Sequence, residues 1–227
     1  MLGSHLIAAL KAAQPNVEFV GIGGPKMQAA GMTVLYPMEK LAVRGYVEVL
    51  RHYLEIVGIR RKLRSYFLAN QPQLFIAIDA PDFNLGLERD LKSAGIPTVH
   101  YVSPSIWAWR GERIHKIKHA VSHMLCLFPH EAKLYQDVGV PVDFVGHPLA
   151  DMLPLVSKRA EMRETMRIPL AATVFALLPG SRQSEVKSLA ETYINTAKLI
   201  LQSVPDARFL VPLVSRETRR MFEQALY

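Results

Sequence analysis

Phe75-Ile76-Ala77-Ile78-Asp79-Ala80-Pro81-Asp82-Phe83-Asn84 is the stretch on which the fold reading turns. A short continuous apolar run stops abruptly at polar residues and a proline. Such a run reads as a strand buried on both faces, as in a parallel sheet covered by helices. In open sheets of that kind ligands bind just beyond the carboxyl ends of the strands. Asp79 stands at that edge, as a candidate general base or as an acidic residue that merely opens the next helix. His100-Tyr101-Val102-Ser103-Pro104-Ser105-Ile106-Trp107-Ala108-Trp109-Arg110 repeats the pattern of an apolar run that breaks into polar residues.

Outward from these runs, strand-like and helix-like segments alternate. Strands are expected at 17–22, 74–78, 98–102, 124–128, 142–145, 173–178 and 208–211. Helices are expected at 45–69, 83–94, 112–121, 130–138, 158–166, 184–203 and 217–226, and Leu2, Leu6, Ile7 and Leu10 mark an opening amphipathic helix. Alternation of this kind implies right-handed βαβ units and an α/β fold with parallel sheets. The stretch Pro148–Pro169 holds a charged helix and no strand, after which the pattern restarts. It divides the chain into a first α/β domain (1–150), a linker (151–168) and the beginning of a second domain (169–227). Two strands and two helices do not close a doubly wound sheet. The opening helix has no strand before it, so the chain reads as truncated at both ends.

Half of the 227 residues are hydrophobic and 21 % are charged, an ordinary globular profile. The single cysteine, Cys126, excludes an internal disulfide framework and lies in an apolar run, where a buried thiol is expected. His115, His119 and His123 recur every four residues, but the first two fall on a basic helical stretch and read as a solvated face rather than metal ligands. The net charge of +7 favours an anionic partner, be it nucleotide, phospholipid surface or nucleic acid. No apolar stretch approaches the ~20 residues of a membrane-spanning helix.

Several segments carry candidate chemistry. Leu178-Pro179-Gly180-Ser181-Arg182 joins a strand to a helix. Free backbone N–H groups and the helix dipole there suit a phosphate, with Gly180 permitting close approach, Ser181 donating and Arg182 offsetting leaving-group charge. A merely capped helix, with Ser181 or Ser184 as N-cap and Glu185 in its first turn, is the alternative. Gly21-Ile22-Gly23-Gly24-Pro25 is a tight turn near a substrate rather than a dinucleotide fingerprint, because Lys26 stands where the third glycine belongs. Tyr46, Val49, Leu50, Tyr53, Ile56 and Val57 fall at helical spacing among Arg44, Arg51, Arg60, Arg61 and Arg64. The stripe is either core-facing or the face of a helix lying at an anionic membrane. Trp107 and Trp109, beside Arg110, line a sugar or acyl site or anchor the sheet edge.

Taken in order, six segments resemble the lipid-A-disaccharide synthases, membrane-associated bacterial glycosyltransferases. They are Gly21–Met27, Leu41–Leu50, Ile78–Asn84, His100–Arg110, Phe144-Val145-Gly146-His147-Pro148 and Ala176–Arg182. The resemblance implies a GT-B architecture of two Rossmann-like domains. It implies an inverting transfer from UDP-2,3-diacylglucosamine to 2,3-diacylglucosamine 1-phosphate, giving a β(1→6)-linked tetraacyl disaccharide 1-phosphate and UDP in lipid A biosynthesis. It implies Asp79 as the catalytic residue and Gly180, Ser181 and Arg182 at the UDP diphosphate. Gly23, Gly24, Asp82, Asn84, Ser103, Trp109, Arg110 and His147 fall on motif positions near substrate, and Val47, Val49, Leu50, Tyr53, Ile56 and Val57 on the acyl and membrane contact.

No cofactor or metal is implied, since helix dipole and arginine can neutralise the diphosphate. The implied partners are the two acylated sugars and the anionic inner face of the bacterial inner membrane, with a peripheral cytoplasmic location, no nucleic acid, and room for a homodimer. Two departures stand out. The family's opening Ser-Gly-Asp turn and its later nucleotide-holding segment are missing, so a fragment unable to turn over by itself is expected. Arg44 and Tyr46 replace bulky apolar residues. The rival readings are a soluble enzyme of GT-B fold acting on a UDP-sugar, such as an epimerase, and a basic nucleic-acid-binding module.

Overall fold

The computed structural model describes residues 1–41, 46–106 and 111–227, and describes no side chain at 39 or 46–52. The chain forms two compact units, Met1–Leu153 and Pro154–Tyr227.

The first unit opens with α1 (Leu2–Ala13), β1 (Phe19–Gly23), α2 (Pro25–Ala29) and β2 (Met32–Pro37), followed by a 3₁₀ turn and the long α3 (Tyr46–Asn70). Then come β3 (Phe75–Ile78), α4 (Pro81–Ser93), β4 (Thr98–Tyr101), α5 (Arg113–Ala120), β5 (His123–Cys126), α6 (Pro129–Gln136), β6 (Val142–Phe144) and α7 (Pro148–Met152). Strands β3-β4-β5-β6 pair in that order, all parallel, with Ile78 opposite Tyr101 and Tyr101 opposite Leu125. A sheet that adds strands in one direction through right-handed crossovers puts its connecting helices on one face. α4 accordingly packs on α5 and on α3.

β1 and β2 form a separate parallel pair whose register shifts between Gly21 and Ile22. The sequence reading did not include β2. Thr33, Val34 and Tyr36, bounded by Gly31 and Pro37, are its β-forming signal, obscured by the short helix just before it.

Two clusters hold this unit. Ile59, Leu63 and Phe67 of α3, spaced by four, meet Phe83, Leu87 and Leu91 of α4, with Val20, Ile22 and Phe75 against them. Ile117, Met124, Cys126, Tyr135 and Val140 form the second. Each fully buried aliphatic side chain contributes about 2 kcal/mol. Burial pushes the Cys126 thiol up to about 12, so it stays protonated at neutral pH.

The second unit contains α8 (Arg159–Thr165), β7 (Val174–Ala176), α9 (Gln183–Ser203), β8 (Arg208–Leu210) and α10 (Arg216–Gln224). β7 and β8 are parallel, and Val186, Ala190 and Ile194 of α9 pack on Phe222 of α10. Among the described residues no helix is long and apolar enough to cross a membrane, and no group of histidine, cysteine and acidic side chains could hold a metal.

Candidate active site

Three of the five non-glycine residues with positive φ among the described residues lie at the carboxyl edge of the four-stranded sheet. Asp79 (φ 55°) and Ala80 (φ 46°) follow β3 in the left-handed region, and Val102 (φ 84°) follows β4. For a β-branched residue such as Val102 this is a true outlier, and each such residue costs on the order of 1–3 kcal/mol. Strain of this kind persists only when the surroundings over-determine it, and here the bonds that do so are plain. The Asp79 N–H donates to the Tyr101 carbonyl at 2.9 Å, extending the ladder by one rung, and the Val102 N–H donates to Leu125 at 3.0 Å. Asn84 Nδ2 donates to the Asp79 carbonyl at 2.7 Å, so the first turn of α4 clamps the turn that precedes it. Pro81 begins the helix with its φ already set.

This geometry separates the two carboxylates of the motif. Asp79 is exposed, and its carboxylate has no hydrogen bond or ion pair among the described residues. Asp82 is committed to the guanidinium of Arg113 on α5. Of the two, only Asp79 is unengaged among the described residues.

The remaining motif residues scatter into different roles. Ser103 is buried, and its hydroxyl lies 2.8 Å from the Tyr135 hydroxyl, tying the loop after β4 to the core. His147 accepts the Leu149 N–H on Nδ1 at 3.1 Å and caps α7. Gly23 is enclosed by Met27, Met32 and Val34, and Gly24 faces Met38. Tyr53 is 58 % exposed, whereas Ile56 packs against the first core cluster. Trp107, Trp109 and Arg110 lie outside the described residues, as do the side chains of Val47, Val49 and Leu50.

In the second unit the Gly180-Ser181-Arg182 turn is laid out as an anion cradle and already holds an anion. Glu185 Oε2 accepts the N–H groups of Ser181 at 2.9 Å and Arg182 at 3.1 Å, while Arg182 Nη1 lies 3.0 Å from Oε1. Gly180 sits at φ 128°, and a Cβ there would come within 2.5 Å of the Glu185 Cβ. The N-cap of α9 is Arg182, with no side-chain cap bond, rather than Ser181 or Ser184, and Glu185, in the first turn as expected, takes the free amides. The Ser181 N–H bond leads the causes that hold the Glu185 carboxyl below its ordinary value, with Arg182 behind it.

A group lowered in this way adds stability above its ordinary pKa and loses it as pH falls through the folded value. The Ser181 and Arg182 amide resonances are thus expected to titrate together, with a midpoint below the 4.5 of an ordinary glutamate. Midpoints at or above that value would detach Glu185 from the turn.

Sequence reasoning missed one pair outright. Glu88 and His100 are both completely buried, with His100 Nδ1 between the Glu88 carboxylate oxygens at 3.0 and 2.9 Å. The only signal for it is a glutamate at the core-facing spacing of α4, one residue after Leu87 and three before Leu91.

The family described as lipid-A-disaccharide synthetase matches residues 1–227. The lipid-A-disaccharide synthase of Methylobacillus flagellatus is 62 % identical over the entire chain, which covers 60 % of that protein. The synthase of Aromatoleum aromaticum is 58 % identical, again with the chain fully covered and 58 % of the relative. The chain thus spans about three-fifths of the length of these relatives. Among solved structures, the UDP-GlcNAc 2-epimerase of Neisseria meningitidis superposes with a TM-score of 0.54 at 12 % identity, covering 88 % of this chain and 57 % of that one. That likeness supports the α/β GT-B fold. By its match over all 227 residues, the chain belongs to the lipid-A-disaccharide synthetase family.

Proposed function

We propose that this chain supplies the acceptor-side unit and the start of the nucleotide-binding unit of an inverting glycosyltransferase. The enzyme joins UDP-2,3-diacylglucosamine to 2,3-diacylglucosamine 1-phosphate in lipid A biosynthesis. The observation that carries the reading is family membership across the full chain, with 62 % identity to one protein named for this synthesis. The strained edge adds a chemical reason. Asp79 accepts the proton of the acceptor 6-hydroxyl as that oxygen bonds to the donor anomeric carbon. The bond from that carbon to the UDP oxygen breaks on the opposite face, and its electron pair leaves with UDP. Arg182 and the amides of Ser181 and Arg182 receive the departing diphosphate, once Glu185 vacates them.

Both substrates are acylated, so the enzyme works at a membrane surface. In this reading α3 meets the inner leaflet through its apolar first half, and the basic charge of the chain holds it to anionic lipid.

The test is an assay of the chain completed with the flanking segments of the Methylobacillus relative. With both acylated sugars and a chelator present, UDP is expected to appear in step with a β-linked disaccharide 1-phosphate. UDP release or epimerisation that ignores the acylated acceptor would instead establish a soluble UDP-sugar enzyme. In the same assay Glu185→Gln is expected to lower KM for the UDP-sugar, because the internal competitor for the cradle has lost its charge. A KM that rises would make Glu185 a support of the cradle rather than a competitor.

A further inference from the structure

A cleft of about 360 Å³ opens between the second half of α3 and the outer face of α4, lined by Arg60, Arg61, Arg64, Gly86, Arg89 and Asp90 with Leu87 at its base. That volume lies in the ~300–1,000 Å³ range of small-ligand sites. Four guanidinium groups face one carboxylate. Asp90 answers two of them, accepting from Arg64 Nε at 2.9 Å and from Arg89 Nη2 at 2.9 Å, which bolts the two helices together across the cleft. Arg60 and Arg61 have no ion-pair partner among the described residues. The Arg60 guanidinium lies across Gly86, with Nη1 3.4 Å from where a Cβ would stand, so the missing side chain lets it settle low in the cleft. Like charges gathered this closely, with two left unanswered, favour an anion that can take several N–H donors at once. Phosphate oxygens match the planar guanidinium fork.

The position of the cleft on α3 indicates which phosphate. Residues seven apart on a helix lie within ~20° of the same face and ~10.5 Å apart along the axis. Tyr53 and Arg60 are so related, as are Leu54 and Arg61. Tyr53 is 58 % exposed and Leu54 77 %. One stripe of α3 therefore runs from uncovered apolar side chains to unpaired arginines within two turns. An apolar end sunk ~5–10 Å past the headgroups would bring the arginines to the level of the lipid phosphates.

We infer that the α3–α4 cleft receives the phosphate of an anionic phospholipid headgroup, giving the membrane contact of the proposed function, on which this rests, a defined lipid site. Flotation with phosphatidylethanolamine vesicles containing phosphatidylglycerol tests it, using two charge-matched double variants. Arg60→Gln/Arg61→Gln is expected to lower partitioning by about thirtyfold or more, at roughly fivefold per charge near an anionic surface. Lys116→Gln/Lys118→Gln, on the exposed face of α5, is expected to cost less than about fivefold. Equal losses would mean that the arginines only add to a diffuse field; they would overturn the site and leave the membrane reading standing.

A second arm needs no membrane. Dihexanoyl-phosphatidylglycerol below its micelle concentration should shift the Gly86 and Leu87 amide resonances in the unaltered chain and not in the arginine variant. If those shifts appear while the vesicles are ignored, the headgroup site stands and the membrane reading falls. If inorganic phosphate saturates the same amides equally well, or neither ligand moves them, the lipid assignment is overturned. Should the double variant unfold by circular dichroism, Arg61→Gln alone, at an exposed position, carries both arms.

Discussion

Asp79→Asn, made in the completed enzyme, is expected to lower kcat by about 10²–10⁴-fold with KM changed little. The reasoning starts from the backbone. Asp79 and Ala80 occupy the left-handed region consecutively, which only glycine, asparagine and aspartate tolerate readily. Asparagine therefore preserves the turn, the Asp79 N–H bond to Tyr101 and the clamp from Asn84, and removes only the proton acceptor. Unfolding of the 227-residue chain by urea should accordingly be unaffected. Asp82→Asn provides the contrast. Asp82 is already paired with Arg113 at a largely exposed position, and such pairs contribute little, so a loss below about tenfold is expected. Near-normal turnover of Asp79→Asn, or equal losses for the two variants, would remove Asp79 as the base.

The strand endings at Ile78 and Tyr101 were legible because a buried parallel strand leaves a continuous apolar run that polar residues cut short. The turn that follows was legible only as a location. Left-handed conformations at Asp79, Ala80 and Val102 depend on hydrogen bonds to neighbouring strands, which no local pattern encodes. Ser103 shows the same limit. Its place beside a strand end suggested an open edge, but its hydroxyl turns inward to Tyr135, 32 residues away. His147 had no role separable from packing until the Leu149 amide was seen to point at its ring. At Gly180-Ser181-Arg182 the phosphate and capping readings use the same groups. Local sequence leaves them level, and in this structure the Glu185 carboxylate takes those amides. Within the α3 stripe, Ile56 packs against the core formed by Ile59, Leu63 and Phe67 further along the helix, while Tyr53 and Leu54 stay exposed.

Glu88→Ala is expected to destabilise the chain by about 2–5 kcal/mol, through a cavity in the core and a buried imidazole nitrogen left without its partner. Glu88 and His100 have no access to solvent, and His100 Nε2 has no partner among the described residues, so the alanine variant would also strip Nδ1 of its partner within the core. Glu88→Gln keeps an acceptor for the Nδ1–H and should cost less than about 1.5 kcal/mol at neutral pH. The pH dependence sharpens the comparison. Burial raises the Glu88 carboxyl above its ordinary 4.5, outweighing the opposing bond and charge of His100. The folded state thus holds a proton that the unfolded chain has released, and stability falls as pH rises from about 4.5 through the folded value. Glutamine has no such proton to lose. The urea midpoint of the unaltered chain should therefore decline relative to Glu88→Gln across that window and run parallel to it above. Parallel midpoints throughout would show that His100 stabilises the carboxylate as fully as water does. In that case the pair would act as a fixed brace between α4 and β4 with no cost in charge.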